Sequence, residues 1–358
     1  MRAQNNFPLK HNRHWHDWRW QMVNRIANPA CLADWIEIHP KQLAALKTAA
    51  ARYPFCVTPY YFSLCHPGDK RDPVLRQFLP DIRELADKDT PADPLGEKAY
   101  EPVPGLIHRY RNRVVVLVTN NCAVRCRHCT RKNSLNRSPA ENIESRLPQI
   151  LKYIRRKKKI REVILSGGDP LLLETAVLDG VMAELTAIKH VEVLRIGTRA
   201  PVVLPMRIDA ELCACLAKHR PLWINTQFNH PREITAEAEK ACRSLQQSGL
   251  PVSNQTVLLR GVNDSLPVLA KLFNNLQRIM VRPYYAFRCD PVRGVRHFIT
   301  RKSASAELSA RLRQTLGGLS MPLFVADLPG RKSKIPLECA RRRETPRAGT
   351  TPEITCSL

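Results

Sequence analysis

From residue 111 onward, short apolar runs alternate with amphipathic stretches. RVVVLVT (113–119), EVILSGG (162–168), VEVLRIGTR (191–199), LWINTQFN (222–229), VSNQTVLL (252–259), VRPYYAF (281–287) and PLFVAD (322–327) read as strands. Between them, helical periodicity predicts helices near 141–157, 172–189, 209–219, 234–248, 265–279 and 304–317. Strands alternating with helices in this way indicate βαβ units and a parallel sheet. Several of the strands end in polar or glycine residues, and in α/β barrels that end bears the active site. An open doubly wound sheet shows the same alternation, so the pattern alone leaves closure undecided.

The first hundred residues differ. Trp15, Trp18 and Met22 fall at helical spacing in WHDWRWQMVNRI (15–26), which predicts a docking helix whose aromatic face is core. A second helical stretch covers 41–52, and a Pro- and Asp-rich segment leads to PVPG at 102–105. The chain therefore divides into a mainly helical extension (1–105), an α/β region (106–330), and a closing segment with a flexible tail (331–358, the tail at 341–358).

Charge and composition refine this picture. The 358 residues carry 57 Lys+Arg against 32 Asp+Glu, a net charge of +25. Such an excess favours anionic contacts without specifying a fold. The basic run IRRKKKIR (154–161) lacks interleaved aromatics, so it reads as a solvated helix end and nucleic acid is not an expected partner. No stretch is apolar enough to span a membrane, and the N-terminus has no secretory apolar region. A cytoplasmic, reducing setting is expected. Twelve cysteines there point to metal or redox chemistry rather than to disulfides.

The sharpest feature is TNNCAVRCRHCTRKN (119–133), where Cys122, Cys126 and Cys129 have the spacing C-x3-C-x2-C just after a strand. Thiolates favour iron–sulfur clusters or zinc. A cubane cluster with a complete protein shell takes four cysteines. Three would leave one iron open to an exchangeable ligand. A zinc site that adds His128, or three unrelated buried cysteines, are the alternatives, although adjacent His128 and Cys129 reach one tetrahedral ion with difficulty.

This motif resembles the signature of the radical S-adenosylmethionine enzymes. SGGDP (166–170), in the right order after it, resembles their glycine-rich segment that contacts the methionine moiety. DWRWQ, TPYY, VPGLIHRY, CRHCTRK, LSGGDPLLL, RIGTRAPVVLP, FNHPREIT, NQTVLLRGVND, VRPYY and the CD of FRCD narrow the resemblance to lysine 2,3-aminomutase and its relatives. It implies a partial (β/α)6-type TIM barrel with an N-terminal helical extension. It also implies three cofactors: a [4Fe–4S] cluster on Cys122, Cys126 and Cys129, S-adenosylmethionine, and pyridoxal 5′-phosphate.

The resemblance carries over residue by residue. Lys334 in DLPGRKSKIPL is the lysine that forms the internal aldimine. Arg109, Tyr110 and Arg113 contact pyridoxal phosphate, and Ser166, Gly167, Gly168, Asp169 and Gln255 contact cofactor. Arg131 takes the substrate α-carboxylate, and Asp290 with Asp327 grips the distal ammonium of lysine. The implied activity is an isomerase that interconverts L-lysine and β-lysine by a 5′-deoxyadenosyl radical. An electron donor such as flavodoxin or ferredoxin and a homo-oligomer are the implied partners.

Four positions depart from the family pattern. The run of glycines before the lysine is reduced to Gly330, Gln227 stands where His is expected, Ser265 replaces a zinc-binding Cys, and the chain stops soon after KIPL. No structural zinc is expected. Arginine 2,3-aminomutase, the shorter relatives that modify lysine for elongation factor P, and a basic metal-containing nucleic-acid-binding protein are the alternative functions. The pair Asp290 and Asp327, with the Thr of CTR, favours the branch that acts on free amino acids, and an arginine guanidinium would also fit the charge of the pair.

Overall fold

The computed structural model describes residues 8–36, 38–66, 68–69, 71–135 and 142–337; the tail expected at 341–358 lies outside them. The extension contains α1 (Trp18–Val23), α2 (Pro40–Arg52), α3 (Pro59–Phe62) and α4 (Arg83–Ala86), separated by 3-10 turns. Asp17 and Thr58 cap α1 and α3 by accepting from backbone amides, and prolines open α2 and α3. Trp15 and Trp18 are buried and Met22 packs against the core, as the helical spacing predicts.

One nine-stranded sheet follows, with strands in sequence order: β1 (Leu106–Tyr110), β2 (Arg113–Thr119), β3 (Glu162–Gly167), β4 (Val193–Gly197), β5 (Leu222–Thr226), β6 (Val252–Leu258), β7 (Arg282–Arg288), β8 (Leu323–Ala326) and β9 (Ile335–Pro336). β2 to β8 run parallel, while β1 and β9 pair antiparallel at the two edges, so the sheet does not close on itself. The crossovers are α5 (Ile143–Arg156), α6 (Thr175–Thr186), the short α7 (Ala200–Val203) with α8 (Ala210–Ala217), α9 (Ala236–Gln247), α10 (Leu266–Arg278) and α11 (Lys302–Thr315). Six strand–helix units and a closing strand make the partial barrel that the resemblance implies. The edge strands β1 and β9 are additions that the hydrophobic pattern does not show.

Each strand has two unlike faces. Along β2, Val114, Val116 and Val118 are buried, and along β3, Val163 and Leu165 are. They meet helix stripes such as Ile143, Ile150, Leu151 and Ile154 of α5, and Leu269, Leu272, Phe273 and Leu276 of α10. The alternate positions, Arg113, Val115, Ile164, Ser166, Arg195 and Gln255 among them, face a cavity. The barrel interior is therefore a chamber lined by mixed side chains, where a closed (β/α)8 barrel has packed layers. The basic run at 154–161 sits where β3 begins, at the opposite end of the strands from the cysteine loop that follows β2. It is partly paired, through Arg155–Glu184 (3.2 Å) and Arg161–Glu192 (2.7 Å).

The extension and the sheet share one contiguous core, from Trp15 to Leu337. They are also joined by buried charge. Glu84 on α4 has no solvent exposure at its side chain and pairs with Arg127 and with Lys132 Nζ (2.9 Å), both in the cysteine loop. Arg127 Nη1 also donates to the carbonyls of Tyr53 and Pro54 (3.1 Å each), and Lys132 Nζ donates to Gly294 O (2.9 Å). Removing one partner of such a set leaves uncompensated charge in the interior. Glu84→Ala is expected to lower the unfolding free energy by about 3–5 kcal/mol, read by urea denaturation, whereas Ile82→Ala, at an exposed position, leaves the midpoint in place. Equal midpoints for the two variants would remove the network from this role.

Candidate active site

Two cavities meet at the C-terminal ends of the strands. The first, about 340 Å³, holds Cys122, Cys126 and Cys129 together with Ser166, Gly167, Gly168 and Asp169. The second, about 570 Å³, holds Arg109, Tyr110, Arg113, Asp290, Asp327 and Lys334. Arg131, Ser166, His128, Thr130, Gln255 and Phe287 border both. All the residues singled out in the sequence thus converge on one double chamber, the cysteines at one end and Lys334 at the other.

The cysteine loop is held by its backbone and its basic residues. Arg125 N donates to Cys56 O (2.9 Å) and Arg127 N to Gln77 O (2.8 Å), tying the loop to the extension. Gly168 N donates to Thr119 O (2.6 Å) and Asp169 N to Asn121 O (2.8 Å), tying it to the end of β3. That approach explains the glycine pair: a Cβ on Gly167 would press on the Thr119 carbonyl, and one on Gly168 on the Asn121 carbonyl. Gly167 also sits at φ +121°, which side chains rarely adopt. Asp169 is engaged as well. Its carboxylate accepts from Thr198 Oγ1 (2.6 Å), Arg199 N (2.8 Å) and Leu171 N (3.1 Å), so it braces the turn from within the cavity wall.

Three cysteine sulfurs on one loop would hold a [4Fe–4S] cluster and leave one iron without a protein ligand. The Gln227 amide donates to His128 Nε2 (3.0 Å). Burial, then the Arg199 and Lys132 charges, hold that imidazole neutral, well below its usual pKa. Burial pushes the Cys122 and Cys129 thiols up, so ionised sulfur there requires nearby positive charge, which a cluster supplies. The donor set fits a three-cysteine [4Fe–4S] cluster.

At the other end, Lys334 follows the turn at Gly330 and lies among Tyr110, Tyr285 and Phe287, with Nζ 5.6, 5.9 and 5.4 Å from their ring centres. Its Nζ also reaches Asp327 Oδ2 (3.3 Å). Asp327 is shared with Arg109 (2.9 Å), which donates in addition to the carbonyls of Leu328 and Arg331. Arg113 stacks over the Tyr110 ring (4.4 Å). The Tyr110 hydroxyl and Arg109 Nε are buried without hydrogen-bond partners, a cradle of donors suited to an anionic cofactor.

Two of these side chains have partners that the sequence does not signal. Arg131 donates through Nε and Nη2 to Glu97 (2.8 and 2.7 Å) and through Nη1 to Ser166 Oγ (3.4 Å), which leaves the outer N–H bonds of Nη1 and Nη2 for a substrate carboxylate. The sequence reading missed Glu97. Arg109, taken from the resemblance as a phosphate contact, pairs with Asp327 through Nη1 while its Nε is left for the cradle. Asp290 accepts from Thr130 Oγ1 (2.9 Å), and burial, with Asp327 close by, pushes its carboxyl up to about 6.

A cysteine loop after the first parallel strand of a partial barrel, beside a glycine turn on the second, defines a radical S-adenosylmethionine protein. The model of the Radical SAM superfamily matches residues 116–273. An L-lysine 2,3-aminomutase of Fusobacterium nucleatum is 42% identical over 92% of this chain and 78% of its own length. One of Clostridium subterminale is 44% identical over 90% of this chain and 78% of its own. A glutamate 2,3-aminomutase of Clostridioides difficile is 36% identical over 90% and 76%. The chain belongs to the lysine 2,3-aminomutase family of radical S-adenosylmethionine isomerases. With that membership come the [4Fe–4S] cluster, S-adenosylmethionine and pyridoxal phosphate.

Proposed function

We propose that the protein interconverts L-lysine and β-lysine. The observation that carries this reading is the paired acids Asp290 and Asp327 in the same cavity as Arg131 and Lys334. Asp327 is already paired with Arg109 and Lys334, so it is chiefly Asp290 that attracts a distal ammonium and repels a distal carboxylate, which speaks against glutamate as substrate. When bound, the cluster and S-adenosylmethionine supply a carbon radical and pyridoxal phosphate activates the amino group. The chain itself orients and screens. Arg131 offers its outer N–H bonds to the α-carboxylate, Asp290 and Asp327 hold the far end, and the aromatic rings around Lys334 fix where its amine meets the chamber. The Cys122–Cys129 cavity adjoins the position where the middle of the substrate lies. An external electron donor is needed to reduce the cluster, in a reducing, cytoplasmic setting. Among the described residues no helix is long and apolar enough to cross a membrane.

Reconstituted protein, assayed anaerobically with dithionite, S-adenosylmethionine, pyridoxal phosphate and L-lysine, is expected to form β-lysine detectable by mass spectrometry. Cys126→Ala and Lys334→Ala abolish it, and a tenfold excess of arginine or glutamate leaves the rate nearly unchanged. Preferred turnover of arginine, or of lysine only when followed by transfer to a translation factor, would move the assignment to those substrates.

The pH profile follows from Asp290, which faces Asp327, Glu97, Lys334 and the Thr130 hydroxyl. As pH falls through about 6 it takes up a proton, and one of the two charges that hold the ammonium is lost. The substrate amine, with an ordinary pKa of about 10.4, stays charged throughout. kcat/KM for lysine should fall toward a tenfold loss per pH unit below that value. Asp290→Asn should be slower everywhere and lack the inflection; an unchanged inflection would assign it to another group.

A further inference from the structure

Arg199 lies directly under the cysteine loop, in the RIGTRAP segment after β4. Its side chain is 8% exposed. Nη1 donates to Cys126 Sγ (2.8 Å). The rest of the guanidinium is fixed from other parts of the chain. Nη2 donates to the Tyr61 hydroxyl (2.9 Å), Gln77 Oε1 (2.5 Å) and Glu233 Oε1 (2.8 Å), and Nε donates to Gln227 O (3.3 Å). Its backbone amide is held by Asp169.

Glu233 is fully buried and saturated. Its oxygens accept from the Tyr61 hydroxyl (2.5 Å), Gln77 Nε2 (3.0 Å), Asn229 N (2.6 Å) and His230 N (2.8 Å). The pair Arg199–Glu233 is thus a fixed dipole whose positive end rests on Cys126 sulfur and whose negative end points away from it. The Glu233 pair is made through Nη2, so Nη1 is the group left to meet the sulfur.

We propose that Arg199 is a positioning residue that raises the reduction potential of the cluster through its hydrogen bond to Cys126, on the reading that Cys126 is a cluster ligand. Reduction adds an electron to the cluster and so places more negative charge on its sulfur ligands. A rigid donor cation at one of those ligands stabilises the reduced form, and low dielectric strengthens the effect. Because the donor is already in place, no reorganisation is required when the electron arrives. The cation thereby brings a strongly reducing centre within reach of its donor before S-adenosylmethionine binds.

The test is an EPR-monitored redox titration of the reconstituted holoenzyme without S-adenosylmethionine, with iron and sulfide measured for each variant. Arg199→Gln is expected to lower the midpoint by at least a tenfold change in the reduced-to-oxidised ratio, about 59 mV for a one-electron couple. Arg199→Lys, which keeps the charge but not the fork, should fall between it and the parent. Pulsed EPR on parent enzyme carrying ¹⁵N-guanidino arginine should show a nitrogen coupling to the reduced cluster that Arg199→Lys loses. Unchanged midpoints at full iron content, or no ¹⁵N coupling in the parent, would overturn the proposal, and the latter needs no variant to fold. If the Cys126→Ala variant keeps the parent's iron content and spectrum, the ligand reading has failed instead.

Discussion

Glu84 is the residue on which the geometry of the site turns. A carboxylate buried with two cations is costly unless all three are paired, and here both cations come from the cysteine loop. Arg127 and Lys132 bracket Cys129, so satisfying Glu84 sets the loop at both sides of that cysteine. The extension, which carries no chemical motif of its own, is therefore what places the sulfurs. The glycine pair at the end of β3 completes the constraint, because only a backbone without Cβ comes close enough to tie Thr119 and Asn121 down.

Everything beyond the loop follows from the two-faced strands. One face of the sheet is sealed by helices and supplies the hydrophobic stabilisation. The other is released from packing and can carry Arg113, Ser166, Arg195, Gln255 and Tyr285 into a shared chamber. The chamber separates two kinds of chemistry by position. Sulfur and the Arg199–Glu233 dipole occupy one end; Lys334, Arg109 and the paired acids occupy the other. Thr130, Arg131, Ser166 and Gln255 lie at the boundary, where groups from both ends meet.

Much of this was legible in the sequence. β2 falls at 113–119 as the alternation predicts, and α5 at 143–156 lies within the predicted 141–157, because both carry an unbroken apolar period. β1 was missed because LIHRY ends in polar residues that face the chamber, and β9 because two residues, Ile335 and Pro336, make no pattern. The convergence of Cys126, Lys334 and the two aspartates follows from their places at strand ends. Their partners were not legible. Arg199 meets Gln77 across 122 residues and Glu233 across 34, and Arg131 meets Glu97 across 34. No local spacing signals such pairs, since each is a choice made by the fold among many equivalent charges.

With lysine as substrate, the two cavities act as one reaction chamber in which the middle of the substrate lies beside the cysteine end. The most direct measurement uses L-lysine deuterated at its β-carbon, with mass spectrometry of the nucleoside released from S-adenosylmethionine. Deuterium in 5′-deoxyadenosine, absent when the label is moved to the ε-carbon, is the predicted result. Cleavage of S-adenosylmethionine without any deuterium transfer from the β-carbon would show that the substrate is not held where this geometry places it.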